Sequence, residues 1–254
     1  WSGMNTRISR LVTKVPGRPA RIGIISMYDV ENNAVRILAG TLRGGGHHVA
    51  EIYFKDWISN HLDPATDVEL HNLIKVIADE HLDMVCLSIR ASAYYNAACI
   101  LTNHIHDVLD IPVLWGGMHP TLVPTECIQT CDMVLQGEGE LALLELADRL
   151  QADTDILDTP NLMFQTADGI RKNALRPLVE NLDTLAYRDY VTHDHKYFVN
   201  GRKVEKGDPM HGDPVFQMMG SRGCIYKCSY CYNSTYKKDI YPGQKWFRVR
   251  SPAS

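Results

Sequence analysis

From Arg21 onward, short apolar runs alternate with longer stretches whose apolar residues recur at helical spacing. The runs at 21–27, 48–54, 83–89, 112–115 and 132–136 lack a polar face and read as strands buried on both sides. Between them, 33–42 predicts a helix that stops at Gly44-Gly-Gly46. Residues 67–80 carry Leu70, Leu73, Ile74 and Ile77 on one helical face, and further helices are predicted at about 94–109, 124–130 and 138–150. Strands that alternate with helices predict an α/β fold, because parallel neighbours need crossover connections. The expectation is a doubly wound, parallel, five-stranded sheet.

The pattern then changes. Residues 161–165 and 170–173 flank Asp168-Gly169, and 196–204 turns at Asn200-Gly201; each reads as a hairpin. Residues 177–185 read as extended, and 208–214 as a polar linker containing proline. The apolar run 215–219 begins a further strand. The expected organisation is a tail at 1–20, the sheet domain at 21–154, a connector packed between domains at 155–214, and the start of another domain at 215–254.

Composition narrows the class. The chain has 254 residues, 45% hydrophobic and 22% charged, which is ordinary for a globular protein. A net charge of −4 offers no broad basic field for nucleic acid or an anionic membrane. No apolar run approaches the roughly 18 residues of a membrane span, and the first residues lack the apolar core of a signal peptide. Seven cysteines without such a signal predict a reducing, cytoplasmic setting. Cys86, Cys99, Cys127 and Cys131 fall in predicted strands and helices and read as small buried hydrophobes.

The other three, Cys224, Cys228 and Cys231, lie within eight residues. Three thiolates can hold three irons of a four-iron cluster and leave the fourth iron free to bind a small molecule. Structural zinc is the competing reading. It ordinarily needs a fourth Cys or His, and only Cys228 and Cys231 have paired Cys-x-x-Cys spacing. A disulfide with a spare thiol would need an oxidising compartment.

Sheet ligands bind at the carboxyl ends of parallel strands. Ser88 to Ser92, Gly116 to His119 and Gly137-Glu-Gly-Glu140 lie there. By themselves the glycines are turn chemistry and the glutamates are favourable helix-start charges. No Gly-x-Gly-x-x-Gly follows the first strand, which argues against a nicotinamide site.

Cys-x-x-x-Cys-x-aromatic-Cys, with Tyr230 as the aromatic and Arg222-Gly223 in front, resembles the signature of radical S-adenosylmethionine (SAM) enzymes. Trp115-Gly-Gly-Met-His-Pro-Thr121 and Gly137-Glu-Gly-Glu140 upstream of it resemble the cobalamin-dependent subfamily, over about residues 21–252. The resemblance implies a Rossmann-like cobalamin-binding domain followed by a radical SAM (β/α) barrel. It implies a [4Fe-4S] cluster on Cys224, Cys228 and Cys231, and SAM beside Tyr230. It implies cobalamin contacts at Ser88, Ser92, Gly116, Gly117, Gly137 and Glu138, with His119 a further candidate. The stretch after the first strand, Asp29-Val-Glu-Asn-Asn-Ala34, lacks the His that ligates cobalt in many methyl-transfer domains, so no such ligand is expected. Only 23 residues follow Cys231, against roughly 200 for a barrel, so only the start of that domain is expected and the chain alone is expected to be inactive. The implied activity is radical methylation of a substrate carbon. Ring formation or rearrangement, or a non-catalytic corrinoid or iron–sulfur module, are the alternatives. A small molecule or peptide as substrate, and flavodoxin or ferredoxin as electron donor, complete the expectation.

Overall fold

The computed structural model describes residues 5–56, 62–190, 194–214 and 217–252. Helix α1 (Thr6–Lys14) precedes strand β1 (Arg21–Met27), which is followed by α2 (Asn33–Gly44) and β2 (His48–Phe54). Then come α3 (Asp67–Asp79), β3 (Met84–Ser88), α4 (Tyr95–Leu109) and β4 (Val113–Gly116). The short helices α5 (Met118–Leu122) and α6 (Pro124–Cys127) lead to β5 (Met133–Leu135) and α7 (Glu140–Gln151). Two hairpins follow, β6 (Leu162–Thr166) with β7 (Gly169–Lys172) and β8 (Lys196–Asn200) with β9 (Lys203–Lys206).

All nine strands form one sheet, in the order β7-β6-β5-β4-β3-β1-β2-β8-β9. The central five are parallel, as the alternating pattern predicts. Strand β8 joins β2 in parallel, whereas β6, β7 and β9 pair antiparallel with their neighbours. The expected five-stranded, wholly parallel sheet is therefore corrected to nine strands of mixed direction. The hairpins assigned to a connector between domains are instead the two edges of this sheet. The physical reason is edge satisfaction: β2 and β5 would otherwise leave unpaired backbone groups exposed.

Each face of the sheet carries its own core. Leu73, Ile77, Leu101 and Ile105 of α3 and α4 pack with Ile25, Val85 and Trp115 on one side. On the other, Val35, Leu42, Leu143 and Leu146 of α2 and α7 pack with Ile22, Ile24 and Leu114. Helix α1 joins this second layer through Ile8, Leu11 and Val12, so part of the expected tail is a core helix. Capping sets the helix starts. Thr66 and Glu69 form a reciprocal capping box on α3, and the Asn32 side chain accepts from the Ala34 and Val35 amides of α2.

Beyond residue 216, Gln217 to Gly220 form no strand. Strand β10 (Ser221–Arg222) instead pairs antiparallel with β11 (Arg248–Val249), either side of α8 (Tyr232–Thr235). Val215 and Phe216, part of the strand expected at 215–219, lie outside the described residues. A barrel strand needs parallel neighbours. Here the segment's described strand partner is the antiparallel β11.

Candidate functional site at the carboxyl end of the sheet

The carboxyl ends of β1, β3, β4 and β5 open into a cavity of about 400 Å³. That volume falls in the usual range of small-molecule sites, about 300–1,000 Å³. Ile24, Cys86 and Leu114 form an apolar wall, and Leu38 and Leu143 of α2 and α7 close it from the helix layer. Ser88, Gly116, Gly117, Gly137 and Glu138 line it, so five of the residues picked from the sequence meet in one place.

Local structure explains how they meet. The Asn32 amide that caps α2 also donates to the hydroxyls of Ser26 (3.0 Å) and Ser88 (3.2 Å), tying the ends of β1 and β3 together. Gly117 has φ +106°, and a Cβ there would lie 2.8 Å from the Ile89 carbonyl, so the β3 and β4 ends approach as closely as they do because this residue is glycine. Gly137 has φ +76°, and a Cβ would fall 1.8 Å from the Tyr241 hydroxyl oxygen.

Ser92 and His119 are not brought to the cavity lining. Ser92 Oγ lies 2.9 Å from His119 Nδ1, and the His119 ring packs edge-on against Tyr95. Burial lowers the imidazole pKa of His119, and its Nε2 has no hydrogen-bond partner.

The opposite wall comes from the cysteine-bearing segment. Gly223 and Tyr232, which bracket Cys224, Cys228 and Cys231, line the cavity together with Tyr236, Tyr241 and Trp246. Gly223 has φ +83°, and a Cβ there would lie 2.1 Å from the Trp246 carbonyl oxygen. Cys224 and Cys231 are half-buried and Cys228 is exposed. The Ser234 hydroxyl donates to the Cys228 carbonyl at 2.8 Å, and the Asn233 amide reaches Cys231 Sγ at 3.5 Å. Tyr230 is 90% exposed and stands clear of the cavity.

A half-buried charge clamp fixes this segment to the sheet. Glu138 Oε1 accepts from Arg248 at 2.7 Å and Arg222 at 3.1 Å, and Oε2 accepts from Arg248 and the Val179 amide, both at 3.0 Å. Arg222 also pairs with Glu140. Burial pushes the Glu138 carboxyl up, but the Arg248 hydrogen bonds and the Arg222 and Arg248 charges outweigh it and hold the group below its ordinary value. Sequence reasoning missed Asn32, Arg248 and the aromatic lid that Tyr236, Tyr241 and Trp246 form as the opposite wall of the cavity. The visible signals were an Asn before a helix and a run of aromatics in an otherwise polar stretch.

The residues suit two cofactors. The apolar slot with a hydroxyl and open glycines at its rim accepts a flat heteroaromatic base, as the tail of a corrinoid carries. The three thiols supply the soft donors that iron–sulfur clusters take.

Residues 22–147 match the B12 binding domain family, and this part of the chain belongs to it. Among curated proteins, an uncharacterised methyltransferase of Pyrococcus horikoshii is 28% identical over 188 residues, 72% of this chain and 37% of that protein. The anaerobic magnesium-protoporphyrin IX monomethyl ester cyclase of Rubrivivax gelatinosus is 24% identical over 227 residues, 86% of this chain and 36% of that protein. The chain thus spans little more than a third of the length of these relatives. Among solved structures, the radical SAM methyltransferase TsrM of Kitasatospora setae, with cobalamin and a [4Fe-4S] cluster bound, superposes over 92% of this chain and 45% of its own, with a TM-score of 0.65 and 17% identity. The chain therefore shares the fold of the matching part of that cobalamin-dependent radical SAM enzyme, built on a B12-binding domain.

Proposed function

We propose that this chain forms the corrinoid and cluster half of a cobalamin-dependent radical SAM enzyme, acting in methyl transfer to a substrate carbon. One observation carries the reading. The wall of the corrinoid cavity opposite the sheet is the segment that bears Cys224, Cys228 and Cys231, and the Glu138–Arg222–Arg248 clamp locks it there. A methyl donor and a radical initiator must sit on either side of one substrate, and this arrangement would set the two sites side by side. The bound cofactors would supply the radical and methyl chemistry, while the protein positions them. Ser88, Gly116, Gly117 and Gly137 would hold the corrinoid tail against Ile24, Cys86 and Leu114. Cys224, Cys228 and Cys231 would hold the cluster, with exposed Tyr230 free to cover SAM.

A second reading, ring formation, draws support from the anaerobic cyclases, which match 86–87% of this chain. It uses the same two sites and differs in the fate of the substrate radical.

The test has two independent readouts. The chain is expected to bind hydroxocobalamin stoichiometrically, and Ser88→Leu is expected to weaken that binding at least tenfold by filling the slot. Anaerobic reconstitution is expected to give about four irons and four sulfides per chain, lost when the three cysteines become alanine. A folded chain that takes up zinc but no iron would remove the cluster. One that binds no corrinoid would remove the cobalamin role.

A further inference from the structure

At the amino-terminal edge of the sheet, the far end from the cavity, three ligand-type side chains converge from three separate elements. His48 opens β2, Glu80 follows α3, and His195 directly precedes β8. Glu80 Oε2 lies 2.7 Å from His48 Nε2 and 3.0 Å from His195 Nδ1, and Oε1 lies 2.9 Å from the same His195 nitrogen. One ligand atom from each residue falls within 4.8 Å of the others. The Tyr197 hydroxyl donates to Glu80 Oε1 and fixes the carboxylate's orientation, as outer-sphere partners do at metal sites.

We propose that His48, Glu80 and His195 form a site for a borderline divalent cation such as zinc, which staples the β8–β9 hairpin to β2 and α3. Two imidazole nitrogens and one carboxylate oxygen form a donor set that zinc takes, with water in the fourth position. Metal–ligand bonds of about 2.0–2.2 Å place tetrahedral donors about 3.4 Å apart. The Glu80 contacts of 2.7 Å and 3.0 Å are shorter than that, so the carboxylate oxygen must open from the two imidazoles by about half an ångström to admit the ion. The site is accessible: the His195 side chain is half-exposed, and a cavity of about 290 Å³ runs along His195, Tyr197 and Lys206.

One group opposes the ion. Arg21 Nη2 stands 3.2 Å from His48 Nε2 and 3.9 Å from Glu80 Oε2. It is anchored there by the Glu80 carbonyl at 2.7 Å, with Arg21 Nε reaching the His81 carbonyl at 3.2 Å. Its charge weakens cation binding, and its Nη2 contacts the same His48 nitrogen that would ligate, so the guanidinium must turn aside for the ion and moderate affinity is expected.

The cysteine loop would compete for the same ions. The experiment therefore uses the full chain with Cys224, Cys228 and Cys231 replaced by serine, titrated with Co²⁺ alone and then with Zn²⁺. The expected result is one Co²⁺ per chain, with ligand-field absorption, no thiolate charge-transfer band, and displacement by Zn²⁺. Zn²⁺ is expected to raise the Tm of this chain. His195→Ala is expected to lower Co²⁺ affinity at least tenfold and to abolish the Tm rise, with hydroxocobalamin binding unchanged. Glu80→Gln is expected to abolish uptake. If that variant fails to fold, His195→Ala decides, because its side chain is half-exposed. Absence of saturable uptake, or equal affinity in His195→Ala, would overturn the site and leave Glu80 as a hydrogen-bond hub only. Neither outcome bears on the corrinoid cavity.

Discussion

Gly137 shows how much one missing side chain can organise. Its positive φ starts the turn into α7, and the space a Cβ would need is taken by the Tyr241 hydroxyl. Gly137→Ala is expected to lower stability by about 1–3 kcal/mol, through left-handed strain and displacement of Tyr241. In Gly137→Ala/Tyr241→Phe, the clashing oxygen is gone and part of that loss should return in thermal melts. Equal loss in both variants would place the whole cost in the backbone.

Asp208 is a second decisive residue. Burial pushes its carboxyl up, but hydrogen bonds from Arg36, the Met210 amide and Lys196 overcome this and hold it at about 2, below its ordinary 3.8. Because the folded-state value is depressed, its contribution is complete above about pH 4 and is lost as pH falls toward 2. Asp208→Asn leaves buried Arg36 without its carboxylate and Lys196 with Glu51 alone, and should cost about 3–5 kcal/mol at neutral pH. Denaturation curves should show the gap from the parent closing between pH 4 and 2. A gap independent of pH would argue against the charge pairing.

At the scale of elements, the central strands were legible because each is a continuous apolar run with a helix on either side, and that signal is local. Helix α1 was not. Its apolar positions Ile8, Leu11 and Val12 have helical spacing, but they lie in a short segment rich in Arg, Lys, Ser and Thr. Its burial depends on packing against the α2–α7 layer. The hairpins were legible as hairpins, because Asp-Gly and Asn-Gly turns are local chemistry. Their partners were not. That β8 lies beside β2 rests on Lys196, which is fully buried between Glu51 (3.6 Å) and Asp208 (3.0 Å), and no spacing rule announces a buried lysine.

For the whole molecule, the Glu138–Arg222–Arg248 clamp decides where the cysteine loop sits relative to the B12-binding domain. Glu138→Ala is expected to release that segment. Proteolysis within 217–250 should accelerate several-fold, while hydrogen exchange in β1 to β5 stays protected. Unchanged cleavage would mean that the aromatic lid alone holds it. This segment exposes Met218, Ile225, Tyr226, Tyr230 and Val249. No helix among the described residues is long and apolar enough to cross a membrane.

What the sequence by itself determined is local in kind. It set the alternation of strand and helix, the turn residues, the glycines at strand ends, and three thiols within eight residues. Each depends on residues a few positions apart, where spacing translates directly into geometry. Only the tertiary structure decided the nine-strand sheet, the meeting of Ser88, Gly116 and Gly137 with Tyr241 and Trp246, and the separation of Ser92 and His119 from that cavity. It alone paired Glu138 with Arg222 and Arg248, 84 and 110 positions away. Such contacts form where edges need partners and buried charges need counter-ions, and these demands arise only once the chain is packed.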